Sequence, residues 1–213
     1  MEPRQYTTAD RLIGEISKAI SVLAASSHST RDYPGAVAGS GELGAAERRM
    51  SARLMRVNHA GEVAAQALYQ GQAFWARKPA VAETMKSAAA EEMDHLAWCE
   101  RRIGELGGRT SLLNPLWYAG SFLIGASAAA FGDESSLGFI TETENQVEAH
   151  LHDHLQRLPP QDLRSRKIVE AMKDDEAAHA AKAAKIGGKP LPPMIRSAMK
   201  LTSRLMTQGS FWL

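Results

Sequence analysis

Two four-residue strings set the register of this chain: Glu92-Met-Asp-His95 and Glu176-Ala-Ala-His179. Each places a carboxylate and an imidazole three residues apart, so on an α-helix both lie on one face. A lone glutamate precedes each pair, Glu62 by 30 residues before Glu92 and Glu144 by 32 before Glu176. The halves are offset by 82 residues at the lone glutamates and by 84 at both members of the pairs. One Glu-x-x-His is common on a solvated helix. Six residues in a repeated register are not, so the chain reads as two helical hairpins, each offering one lone Glu and one Glu-x-x-His.

The surrounding pattern agrees. Helical periodicity runs through almost every long segment, no run alternates as a strand does, and only 6% of residues are aromatic. A short amphipathic helix is predicted over 11–25, with Leu12, Ile13, Ile16, Ile20 and Leu23 on one stripe. Residues 26–44, rich in Ser, Gly and Pro, read as a linker. Long helices follow at 45–77, stopped by Lys78-Pro79, and at 80–106, ended by Gly107-Gly108. A third is predicted over 115–158, with Gly132-Asp133 as its candidate breakpoint, and a fourth over 161–186, ended by Gly187-Gly188. A last helix covers 194–207. The expected fold is all-α: an antiparallel four-helix bundle with extra amphipathic helices. Its expected parts are an N-terminal helix and linker (1–44), the bundle (45–190) and a basic amphipathic C-terminal helix (191–213).

Four carboxylates and two imidazoles from four helices form the ligand inventory of a ferritin-like di-iron or di-manganese site. Hard oxygens with two imidazoles suit iron or manganese, whereas structural zinc favours Cys or more His. The small neighbours of Glu62, His59-Ala60-Gly61 and Val63-Ala64-Ala65, point to a carboxylate facing inward on a closely packed helix. Asp175, directly before Glu176, is the candidate to accept a hydrogen bond from a ligand histidine. Spacing alone leaves Glu144 in competition with Glu142 and Glu148. His150, His152 and His154 alternate and so do not share a helix face; they read as surface residues or supports for ligands.

Other readings fall away. A single cysteine, Cys99, excludes an internal disulfide, and its apolar helical setting makes it a core residue. With 25 Lys+Arg against 24 Asp+Glu the net charge is +1, which argues against nucleic-acid binding. The polar first ten residues carry no secretory signal pattern. Gly39-Ser-Gly41-Glu-Leu-Gly44 matches a dinucleotide-binding string, but no βαβ pattern surrounds it.

Residues 110–132 are 23 in a row without a charge, long enough to span a bilayer. Yet His95 precedes the run and Glu144 follows it, and one crossing would put them on opposite sides of roughly 30 Å of hydrocarbon. The run is therefore expected to pack on the bundle and expose an apolar face to one leaflet. The last helix fits that picture: Met194, Ile195, Ala198, Met199, Leu205 and Met206 form an apolar stripe, with Arg196, Lys200 and Arg204 on another face. A peripheral location on the cytoplasmic side of the cell membrane is the expectation.

The string Leu54-Met-Arg-Val-Asn-His-Ala-Gly-Glu62, continuing through Tyr69-Gln-Gly-Gln72, resembles the signature of the demethoxyubiquinone hydroxylases. These are ferritin-like di-iron monooxygenases of ubiquinone biosynthesis. Glu91-Glu92-Met-Asp-His95, Asn114-Pro-Leu-Trp117, residues 141–150 and Asp175-Glu176-Ala-Ala-His179 fit in the same order, so the similarity covers roughly residue 47 to the C-terminus. The resemblance implies that Glu62, Glu92, His95, Glu144, Glu176 and His179 ligate two irons, which selects Glu144 over its neighbours. It also implies a supporting or electron-transfer role for His150. The implied reaction inserts one oxygen atom from O2 into the ring of a 2-polyprenyl-3-methyl-6-methoxy-1,4-benzoquinone or its quinol, with NADH a candidate electron donor. Implied partners are the polyprenyl substrate, the lipid surface and other ubiquinone-biosynthesis proteins, with no nucleic acid. The rival expectations are a ferritin-like iron oxidase or store, and a non-enzymatic helical membrane adaptor.

Overall fold

The structure, a computed structural model, describes residues 7–24, 27–39 and 41–213, without the side chains of 8, 9, 11 and 12. The signal-peptide expectation at 1–6, the place of Leu12 in its stripe, the boundary at 25–26 and Ser40 of the glycine string lie outside the described residues. Among those residues there are seven α-helices and no strand: α1 (Thr8–Ala24), α2 (Ala45–Trp75), α3 (Pro79–Glu105), α4 (Asn114–Ala130), α5 (Asp133–Arg157), α6 (Leu163–Lys185) and α7 (Pro193–Trp212). One 3₁₀ turn, Pro34–Ala36, precedes α2.

Local chemistry explains the boundaries. The Glu47 carboxylate reaches back to the Gly44 N–H at 2.9 Å, closing the first turn of α2. Pro79 opens α3, where a missing N–H costs nothing. Asp162 caps α6 by accepting from the Ser165 N–H at 3.1 Å. The helix expected over 115–158 is two helices. Gly132, at φ 108°, takes a backbone shape that side chains disfavour, and the Asp133 carboxylate accepts from the N–H groups of Arg77 and Lys78 at 3.0 Å each. That corner ties the start of α5 to the turn between α2 and α3. The last helix also runs on to Trp212 rather than ending at residue 207.

The bundle consists of α2, α3, α5 and α6. Leu54, Met55, Trp98, Ile103, Leu151, Ile168 and Met172 form one apolar cluster, from the N-terminal halves of α2 and α6 and the C-terminal halves of α3 and α5. Tyr69, Val81, Met85, Leu137 and Ile140 form a second at the opposite end. This pairing of halves is the antiparallel arrangement, and each fully buried Leu, Ile or Met contributes about 1.5–3 kcal/mol. Cys99 sits in the first cluster with its Sγ 3.7 Å from the Met172 Sδ, and burial pushes its thiol pKa well up. The glutamates and histidines occupy the layer between the two clusters.

The extra helices are α1, α4 and α7. The uncharged run lies along α2, where Gly71 faces the backbone of Phe122 and Ala126, and Gly125 faces the Leu68 carbonyl; neither site has room for a Cβ. No described helix is long and apolar enough to cross a membrane. The apolar stripe of α1 does not face the core: Ile13, Ile16 and Ile20 are exposed, and Val22 packs inward instead. Leu116, Leu123 and Ile124 of α4, and Met194, Leu201 and Leu205 of α7, are also exposed. The expected linker is docked rather than free. The Ser27 N–H donates to Glu100 at 3.0 Å and the Thr30 N–H to Asp94 at 2.6 Å. Composition marks such a stretch as irregular but cannot say which carboxylates will receive its N–H groups.

Candidate metal centre

The six residues expected from spacing, with Glu144 selected by the resemblance, come together at the middle of the bundle, all buried. They fall into two groups. Glu62, Glu92, His95 and Glu176 offer ligand atoms within 4.8 Å of one another, and so do Glu92, Glu144, Glu176 and His179. Glu92 and Glu176 belong to both. The arrangement is two cation positions sharing two carboxylates, each completed by one further Glu and one His. Of the competing glutamates only Glu144 joins it; Glu142 turns outward to Arg196 at 2.8 Å.

Both imidazoles present Nδ1 to the centre. His95 Nδ1 is 2.7 Å from Glu92, 3.4 Å from Glu176 and 3.8 Å from Glu62. His179 Nδ1 is 3.0 Å from Glu92 and 3.6 Å from Glu176. These atoms are close yet not aligned to hydrogen-bond. His95 Nδ1, His179 Nδ1, both oxygens of Glu92 and Oε2 of Glu176 have no hydrogen-bond partner despite complete burial. Buried orphaned acceptors are costly, and five that converge on two points fit a pair of hard cations with carboxylate and imidazole ligands.

Electrostatics point the same way. Burial, then the facing Glu92, pushes the Glu62 carboxyl well above its usual pKa, and burial with Glu176 does the same to Glu144. Burial opposes charge on both imidazoles, yet Glu92 holds His95 well above its normal value, and Glu176 and Glu92 raise His179 to about 11. Glu62 and Glu144 thus retain protons for want of positive charge, while against burial the facing His179 and His95 hold Glu176 well below its usual value; bound cations would supply the missing charge and displace those protons.

The ring nitrogens facing away from the centre are braced across the bundle. His95 Nε2 lies 2.9 Å from Asp175 on α6, as spacing predicted for Asp175. His179 Nε2 lies 2.8 Å from Glu91 on α3. Sequence reasoning missed Glu91 as a support, although it precedes Glu92 as Asp175 precedes Glu176, at the same offset of 84. It also missed Tyr69, one of the residues at α2's buried face, whose hydroxyl donates to Glu144. Arg31, bound to Asp175 at 2.6 Å, carries no sequence signal. His150 does not reach the ligands: its ring lies against His154, centroids 3.9 Å apart. His152 is exposed, while His154 is buried and its Nδ1 donates to the Asn58 side-chain Oδ1 at 2.7 Å, so it belongs to the core rather than the surface.

Beside the centre, a cavity of about 460 Å³ opens between α1, α2 and α3. Its walls include Val22, Met85, Met93, Gln66, Gln70 and Tyr69, an apolar space with a few amide groups and the phenol that touches Glu144.

Fold and centre together define a ferritin-like helical bundle with two buried carboxylate–imidazole groups that could hold metal. Comparison with known proteins places it further. The family described as ubiquinone biosynthesis protein COQ7 matches residues 49–210, and this chain belongs to that family. A 3-demethoxyubiquinol 3-hydroxylase of Bordetella parapertussis is 55% identical over 99% of this chain and 95% of its own length. Proteins of the same name from Nitrosomonas europaea, at 55% over 96% of this chain and 98% of theirs, and Chromobacterium violaceum, at 52% over 95% and 98%, are similarly alike.

Proposed function

We propose that this protein is a di-iron monooxygenase that hydroxylates the ring of 3-demethoxyubiquinol, using O2, in ubiquinone biosynthesis. The observation that carries the reading is the sharing of Glu92 and Glu176 between two buried ligand groups, in a chain whose relatives bear the hydroxylase name. Glu62, Glu92, His95, Glu144, Glu176 and His179 hold the two irons in this reading. Iron bound there supplies the electrons and Lewis acidity that dioxygen activation requires.

The protein's own groups do the rest. Glu92 and Glu176 fix the spacing of the two positions, and the braces from Asp175 and Glu91 orient the imidazoles. The apolar clusters above and below keep bulk water from the centre. The cavity takes the substrate ring, with Gln66 and Gln70 held on its wall by hydrogen bonds to Ala89 and Tyr118 and with Tyr69 standing between ring and Glu144.

A polyprenyl tail stays in lipid, so the cavity must open towards a membrane. The exposed apolar residues of α1, α4 and α7 support a peripheral position on one leaflet, and the cytoplasmic face of the cell membrane is the side proposed. In this reading residues 45–190 are the catalytic bundle, 1–44 an N-terminal amphipathic helix and linker, and 191–213 a basic amphipathic helix that meets lipid or other ubiquinone-biosynthesis proteins. NADH is the proposed source of electrons.

The test is a hydroxylation assay on the iron-loaded protein with the demethoxy quinol, O2 and NADH as the only reductant. Ring hydroxylation supports the reading. Iron oxidation without hydroxylation favours an iron oxidase or store, and failure to take up iron favours a non-enzymatic adaptor.

A further inference from the structure

The two halves of the centre carry the same ligands but are braced differently. His95 is wholly buried, and its partner Asp175 is clamped by Arg31, with Nη1 and Nη2 at 2.6 and 3.4 Å from its two oxygens. Arg31 is fixed in turn. Its guanidinium lies 4.8 Å over the Trp98 ring, and the Trp98 indole N–H donates to Ser29 at 3.0 Å. The Ser29 hydroxyl and the Thr30 N–H both donate to Asp94, at 3.0 and 2.6 Å. Residues 27–33 thus form a strap across α3 and α6 that ends on the support of one ligand histidine.

The other half lacks this. The side chain of His179 is 9% exposed, and that of its partner Glu91 is 45% exposed against 27% for Asp175. Apart from His179, Glu91 hydrogen-bonds the Ser87 hydroxyl on its own helix at 3.2 Å, and no Lys or Arg among the described residues lies within ion-pair distance of it. Tyr69 also donates a hydrogen bond to Glu144, drawing charge from a carboxylate of this half.

We infer that the position completed by Glu62 and His95 holds its cation more tightly than the position completed by Glu144 and His179, and that Arg31 sets the difference. The inference rests on the two-iron reading above. A locked carboxylate fixes the ring of His95 and the direction of its Nδ1 lone pair, and such supports govern metal affinity by roughly 10–100-fold. One effect opposes it: Glu91 brings a net negative charge, whereas Asp175 is neutralised by Arg31. Glu91 is exposed, so water and salt screen its charge; Arg31 is exposed to the same 45%, but its hold on Asp175 is two-pronged and stacked over Trp98, and that orientation is not lost to screening. Orientation therefore wins.

The experiment is anaerobic competition for Fe²⁺ between the full-length protein and a coloured chelator. The wild type should take up iron in two one-iron steps. Arg31→Ala should weaken the tighter step by roughly tenfold and leave the weaker step unchanged. Arg31→Lys, which keeps the charge but not the two-pronged clamp, should fall between, and it serves alone if Arg31→Ala does not fold. Glu91→Ala should weaken only the looser step. A single two-iron step in the wild type, or an Arg31→Ala effect that is absent, equal on both steps or strengthening, overturns the inference. A wild type that binds no iron overturns the two-iron reading itself.

Discussion

His95 and Asp175 meet across the bundle at 2.9 Å, an imidazole from α3 held by a carboxylate from α6. The contact is reciprocated by His179 and Glu91, so each helical hairpin orients the other's ligand. Asp175→Ala should lower iron affinity by roughly 10–100-fold, more than Arg31→Ala, with helical content unchanged. Iron content after dialysis, read beside circular dichroism, checks this; wild-type iron retention would count against it.

Glu144 is buried between Tyr69 and Glu176, outside the apolar clusters that hold the bundle together. Glu144→Ala should abolish hydroxylation while leaving most helicity intact. Wild-type turnover in that variant would show that another carboxylate completes the second position.

The close approach of α2 and α4 leaves no space at Gly125, where an added Cβ would strike the Leu68 carbonyl. Gly125→Ala must push the helices apart, at a cost of about 1–3 kcal/mol. Chemical denaturation should show that loss, whereas the same change at Gly120, with open space around it, should be nearly neutral.

Burial holds His154 neutral, with its pKa lowered to about 2. The unfolded chain binds a proton there near pH 6.5 and the folded chain does not, so this residue's contribution is complete above 6.5 and is lost as pH falls below it. The loss is about 1.4 kcal/mol per pH unit, or roughly 2 kcal/mol between pH 6.5 and 5. His154→Gln should remove that increment. Urea unfolding at pH 7 and pH 5 would give a smaller acid-induced drop for the variant, and an equal drop would refute the assignment.

Leu201 and Leu205 of α7 are both about 60% exposed. Replacing both with Ser should shift the protein from membrane to soluble fraction without disturbing the bundle. Truncating 191–213 is the coarser test, because Ser210 accepts from the Trp117 indole at 3.0 Å and its removal would also expose α4. Unchanged partition of the double variant would assign lipid contact to α1 and α4.

The sequence by itself determined the bundle and five of the six candidate ligands, with Glu144 picked out from Glu142 and Glu148 only by the family resemblance. A carboxylate and an imidazole three residues apart, repeated at a fixed offset on helices ended by Gly-Gly and Pro, can converge in few ways, and local periodicity carries that information. Ligand order alone also excluded a membrane crossing by residues 110–132. What only the tertiary structure decided lies in contacts between residues far apart in sequence: Arg31 on Asp175, Tyr69 on Glu144, Asn58 on His154, and the outward turn of the α1 stripe. Periodicity says which residues share a face, but which neighbour that face meets depends on how helices cross, and the break at Gly132 frees α4 to cover α2 instead of extending the bundle.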